Sequence, residues 1–223
     1  EPVLSNKVGL NRFVWDMRYN TLPGIPTAYI EGSFKGHKAM PNEYHATFKQ
    51  GEESLEVLFK ILPNPLYSVT NQEYQETHDF YTKTEAHIKD MHERVNKLKK
   101  IQTQIASILK ELPKENKYGE VKSVGETLVQ KLKSWDEDMV QRKSKAYDDV
   151  ENFPNKFTAE YILLINQNDS DLPKLTQSPK KRLDELSKKW EVLKATSDEL
   201  INVDIPTYNS LLWENGIGAI NTN

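Results

Sequence analysis

Apolar residues recur at every second position in the first third of the chain, and at every third or fourth position after it. Phe13, Trp15, Met17 and Tyr19 fall on one face of a predicted strand, with Arg12, Val14, Asp16 and Arg18 on the other. Tyr44, Ala46 and Phe48 share a face of a second strand, and Leu55, Val57, Phe59 and Ile61 share a face of a third. Gln50-Gly51-Glu52-Glu53 between them reads as a hairpin turn. Period two with one apolar face predicts an antiparallel sheet packed against another layer.

The rest of the chain predicts helices. Ile88, Met91, Val95, Leu98, Ile101, Ile105, Ile108 and Leu112 form a stripe that Tyr74, His78 and Tyr81 extend backward. Thr70 or Asn71 supplies the N-cap and Pro113 the stop. The span is about 40 residues, roughly 60 Å at 1.5 Å per residue. After a polar turn from Lys114 to Gly119, a second helix is predicted from about Glu120 to Val150, with Val121, Val124, Leu128, Leu132, Trp135, Met139, Ala146 and Val150 on its apolar face. A short helix follows from Thr158 to Asn166. The last begins with Ser178 as N-cap and Pro179 at the first helical position. Its stripe keeps phase across Pro206, which predicts a kinked helix to Asn215 closed by Gly216. Helices this long with one apolar stripe each bury those stripes against one another.

Composition places a boundary between the two parts. Residues 1–66 hold 5 of the 9 Gly and 6 of the 11 Pro, and Pro63-Asn64-Pro65 is an extended connector. The expected architecture is therefore α+β in separate parts. A small antiparallel β-domain covers 1–66, and an elongated antiparallel helical bundle of three long helices plus a short one covers 67–223. About 66 residues fall short of a two-sheet sandwich of roughly 100, so the β-domain reads as truncated.

Charge and chemistry narrow the function classes. The 223 residues carry 30 Lys+Arg against 33 Asp+Glu, a formal net charge of −3, which argues against nucleic-acid binding by bulk charge. With no Cys, disulfides, thiolate metal sites and cysteine nucleophiles are excluded. No apolar run approaches the roughly 20 residues of a membrane span. His78, His87 and His92 share one helix, but their spacings of nine and five put no adjacent pair on a common face for a metal. His37 and His45 read as isolated residues of the sheet region. The run Asp136-Glu137-Asp138 reads as a solvated helix face. Asn166, Asn168, Asp169 and Asp171 lack the Gly and terminal Glu of a calcium loop. No Gly-rich phosphate loop or nucleophile elbow is present, and the spacing offers no set of catalytic groups. Neither cofactor nor metal is expected. Trp15, Tyr19 and Tyr29 are the candidate ligand or partner surface, as aromatic rings that would stack on a sugar if exposed. An enzyme would need polar side chains converging in a groove between sheet and helices. Val129, Val140 and Leu164 are apolar residues left over for a homodimer.

One segment goes beyond pattern. Gly9-Leu10-Asn11-Arg12-Phe13-Val14-Trp15-Asp16-Met17-Arg18-Tyr19 resembles a motif in the C-terminal region of large secreted bacterial proteins of the sortilin-type, Vps10-like group, described as BNR-repeat glycosyl hydrolases. In that group a β-propeller precedes a small immunoglobulin-like β-domain and a helical region. The segment Asp204-Ile205-Pro206-Thr207-Tyr208-Asn209-Ser210-Leu211-Leu212-Trp213-Glu214-Asn215-Gly216 is similar to the closing helix of the same group. Met40-Pro41-Asn42-Glu43-Tyr44-His45-Ala46 departs from it by placing Asn42 where a glycine is usual. No propeller repeat is present in this chain.

The resemblance implies a non-catalytic accessory or interaction module of a secreted, periplasmic or cell-surface protein. Its first partner would be the N-terminal propeller of the same parent chain, with residue 1 a cut within it. Any hydrolase activity would belong to that propeller, and no catalytic residue carries over. A carbohydrate-binding module using the sheet aromatics and a homodimerising helical scaffold are the alternatives. Another protein or a glycan is the further partner class, with no nucleic acid and no membrane span.

Overall fold

The computed structural model describes residues 5, 7–113, 115–170 and 172–222, so Lys114 of the polar turn and Asp171 lie outside the described residues. The chain is a mixed α+β protein. Strands β1 (Asn42–Gln50) and β2 (Glu53–Ile61) form a two-stranded antiparallel sheet. Among the described residues five α-helices follow: α1 (Asn71–Glu111), α2 (Gly119–Met139), α3 (Phe157–Asn168), α4 (Gln177–Glu199) and α5 (Ile205–Glu214).

The hairpin forms where alternation placed it. Tyr44 pairs with Phe59, Ala46 with Val57 and Phe48 with Leu55, so the apolar side chains of both strands share one face. Gly51 takes φ +59, the positive value that a two-residue turn needs at its first central position.

Helix α1 opens on a capping box. The Thr70 hydroxyl accepts from the Glu73 N–H, and the Glu73 carboxylate accepts from the Thr70 N–H. It packs on α2, α3 and α4, while α2 also packs on α5. Ile88, Met91, Val95, Ile101 and Ile105 are buried along its length, in one core cluster with Leu132 and Trp135 of α2 and Leu186 and Trp190 of α4.

Three expectations are corrected here. The segment 13–19 is not a strand. Its single bridge joins Arg18 to Lys38, and Met17 takes φ 57, which breaks the extended run. Phe13, Met17 and Tyr19 are exposed rather than core. Helix α2 stops at Met139, not Val150, because Val140 turns to extended backbone (φ −138). The chain then folds back far enough for Arg142 to clamp Asp136, and a 3-10 turn covers Tyr147–Glu151. Asp136 is thereby buried, not on a solvated face.

The kink at Pro206 is a π-turn, Leu200–Asp204, joining α4 to α5 without a break. Proline has no N–H and its ring crowds the carbonyl four residues back. The wider turn, with the Ile205 N–H reaching Leu200, makes room for it. Thr176 rather than Ser178 takes the N-cap position of α4, without a side-chain capping bond, and Gly216 (φ +71) follows the end of α5.

Residues 22–34 lie on the helices, with Ile25 buried and Leu22, Ala28, Ile30 and Phe34 packed against the core. The His92 ring donates from Nδ1 to the Pro23 carbonyl at 2.6 Å, and Asn96 donates to the Gly24 carbonyl at 3.0 Å.

A histidine pair in the groove beneath the hairpin

A groove of about 440 Å³ runs between the open ends of the hairpin, the first turns of α1 and the loop between α3 and α4. Its walls include Met17, Met40, Ile61, Leu62, Leu172 and Leu175. Such a cavity falls in the range of small-molecule sites.

His37 is held at one side of it by a backbone approach that only glycine allows. A Cβ on Gly36 would stand 2.5 Å from the Tyr19 carbonyl oxygen. The bare Cα lets 17–19 run beside 37–39, with the Tyr19 N–H donating to His37 at 2.9 Å and the Ala39 N–H to Met17 at 2.7 Å. Arg18 ties this corner to α3 by donating to the Gly36 carbonyl at 3.0 Å and to Asp169 at 2.8 Å.

The buried ring of His37 is then fixed on both edges. Glu85 of α1 accepts the His37 backbone N–H through Oε1 at 2.7 Å and faces Nδ1 through Oε2 at 2.9 Å. His37 Nε2 lies 2.9 Å from Nδ1 of His78. Tyr19 stacks on the His37 ring with centroids 4.3 Å apart, and Tyr81 lies within 6° of parallel to it at 5.3 Å. Glu85, His37 and His78 thus form a hydrogen-bonded series that ends at the groove wall. Burial, and then any charge on His37, hold the His78 imidazole below its ordinary range.

The reading of His37 as isolated is corrected by this contact. Two residues 41 positions apart, on a loop and a helix, meet only because residues 17–39 fold back onto α1. The one sequence sign was that His78 lies on the buried stripe of α1. Polar groups do converge in the groove between sheet and helices. The aliphatic hydroxyls nearby are committed elsewhere: the one Thr77 hydroxyl hydrogen is shared between the Glu73 and Pro173 carbonyls at 2.8 and 3.1 Å, and Ser170 donates to Leu172 at 2.9 Å, while the buried Tyr81 hydroxyl has no hydrogen-bond partner among the described residues. The arrangement therefore offers a polarised acceptor rather than an activated nucleophile. Among the described residues no group of three His, Cys, Asp or Glu is placed to hold a metal ion.

The three sequence-chosen aromatics do not share one platform. Trp15 is half-buried against Tyr44 and Phe59 at 5.8 and 6.0 Å, and its indole N–H donates to the Arg18 carbonyl at 2.9 Å. Tyr19 is spent on His37, with His78 at 5.5 Å. Tyr29 sits where its N–H meets the Ser144 carbonyl at 3.4 Å. Tyr44 donates to the Met40 carbonyl at 2.7 Å, and burial, with Tyr19 nearby, pushes its phenol up to about 12. Val140 and Leu164, offered for a homodimer, are buried within the chain, and Val129 packs against the core.

Trp15 covers only the base of the hairpin's apolar face. Beyond it Phe48 is 46% exposed, Leu55 63% and Val57 44%. Neither strand packs along a helix. Val8, Leu10, Phe13 and Val14 on the approach to Trp15 are exposed as well.

No family model, no curated protein and no solved structure matches the chain. No helix among the described residues is long and apolar enough to cross a membrane.

Proposed function

We propose that the chain is a non-catalytic accessory module whose hairpin docks against a β-rich domain of the same parent protein. The observation that carries this reading is the bare apolar face of Phe48, Leu55 and Val57. An isolated two-stranded hairpin is marginal in water, and three strands or a covering layer are needed to stabilise it. Here the covering layer within the chain ends at Trp15, so the outer half of the face calls for a further apolar surface.

The occupant we propose is the β-structure preceding residue 1 in the parent. In this reading the hairpin is the remaining part of an immunoglobulin-like domain, the long helices are an antiparallel bundle that supports it, and the preceding domain is a sortilin-like propeller of a secreted or cell-envelope protein. The exposed apolar residues at positions 8–14 lead toward Trp15 and the same face, which supports an approach from that side. The sugar-platform alternative has less support, since Trp15 and Tyr19 are engaged within the chain.

The test begins with the mass and N-terminal sequence of the natural gene product. A preceding domain, expressed separately, should bind this chain in a calorimetric titration, and Val57→Lys should weaken that binding at least tenfold. A natural start near Glu1, or equal binding by the variant, overturns the reading.

A further inference from the structure

The groove carries a second, separate inference. Its polarity is set from the Glu85 end of the series. The Glu85 carboxylate can only accept, so His37 carries its proton on Nδ1 and donates it to Oε2. In the neutral His37 ring Nε2 is then a lone pair, and the Nδ1–H of His78 donates to it. Every hydrogen bond in the series points the same way, and each polarises the next. The series ends on His78 Nε2, a lone pair with no partner among the described residues. His78 lines the groove.

We infer that this groove binds a small, uncharged, largely apolar molecule bearing a hydroxyl of phenol type, which donates its hydrogen bond to His78 Nε2. Three observations select that class. The acceptor end of the series calls for a donor. The charged groups on the wall already have partners, Lys174 with Glu73 at 2.6 Å, Asp169 with Arg18 at 2.8 Å and Lys38 at 4.0 Å, and Asp16 with the Arg18 N–H at 3.1 Å, which disfavours an ionic ligand. The walls combine Tyr74 and Tyr81 with the thioethers of Met17 and Met40, a lining that favours an aromatic ring over a branched aliphatic body. A hydrophobic body fills the cavity, and the single polar end sets its orientation. The inference does not depend on the docking of the hairpin, whose bare residues Phe48, Leu55 and Val57 are not part of the groove wall.

The probe pair is 4-propylphenol and 4-propylanisole, which share an apolar body and differ in the donating hydrogen. Titration calorimetry at pH 8 keeps the phenol uncharged. The phenol should bind at least tenfold more tightly than the ether. It should shift the ¹⁵N resonance of His78 Nε2 in the unmodified protein, a signature that general apolar partitioning would not give. His78→Phe keeps a ring of similar size at a half-buried position and should abolish the preference, with folding checked by thermal unfolding. Equal affinity for the two compounds, no binding of either, an unmoved Nε2 resonance, or a preference that survives in His78→Phe each overturns the inference. Val57→Lys should leave phenol binding unchanged, so failure here and failure of the docking reading are distinguishable.

Discussion

Replacing Gly125 by Ala sets two helix effects against each other. Gly125 lies inside α2 and is buried against α5. Alanine gains about 1 kcal/mol of helix propensity over glycine in such a position. Its Cβ, however, would lie 2.3 Å from the Tyr208 hydroxyl oxygen and 2.8 Å from both Tyr208 Cζ and Leu109 Cδ2. Tyr208 is fully buried, and its hydroxyl donates to the Val121 carbonyl at 3.2 Å. The ring has to move. Stranding its hydroxyl costs about 1–3 kcal/mol, and overpacking the interface costs about 1–3 more. The loss therefore outweighs the gain, with a net destabilisation of about 3 kcal/mol and a Tm lower by roughly 6–12 °C for a chain of this size. Urea and thermal unfolding of Gly125→Ala, Tyr208→Phe and the double variant measure it. Removing the hydroxyl relieves the shortest contact, so the double variant should be more stable than the sum of the singles by about 1 kcal/mol. An unchanged or raised Tm for Gly125→Ala, or strict additivity, would refute the packing argument.

Two further outcomes follow from buried polar groups. His78, His87 and His92 are held below the ordinary imidazole range, chiefly by burial. The unfolded chain takes up those protons near pH 6.5 while the folded chain resists them. Stability should be full above about pH 7 and fall as the pH drops through 6.5 toward the lower folded values; urea midpoints that stay level or rise between pH 7.5 and 5.5 would contradict this. Asp136 is 6% exposed and receives Arg142 through two bonds of 2.5 and 2.6 Å. Asp136→Ala leaves the guanidinium unpaired and should cost about 3 kcal/mol, read by urea unfolding, with Arg142→Ala added in the same chain restoring part of it.

What could be read from the sequence was what depended on neighbours along the chain. The hairpin was legible because both strands alternate and Gly51 sits between them. The N-cap at Thr70, one of the two residues offered, and the helix continuing past Pro206 were legible for the same reason. Residues 13–19 alternate equally well, yet alternation does not supply a partner strand, and Met17 at positive φ ends the run. Helix α2 stops early because the Arg142–Asp136 clamp rewards a reversal that no periodicity reports. The Glu85–His37–His78 series was hidden altogether. It depends on Gly36 admitting the Tyr19 backbone, a contact between segments 17 residues apart, and on that corner then folding onto α1.

The central claim is that the outer hairpin face is covered in the natural protein. The chain has no Cys, so Val57→Cys places a single reporter on that face. Its rate of reaction with a small thiol reagent is to be compared in this chain and in the full-length gene product with any other cysteines replaced. The account predicts a fast rate in the chain alone and at least a tenfold slower rate in the full-length protein. Equal rates would contradict it.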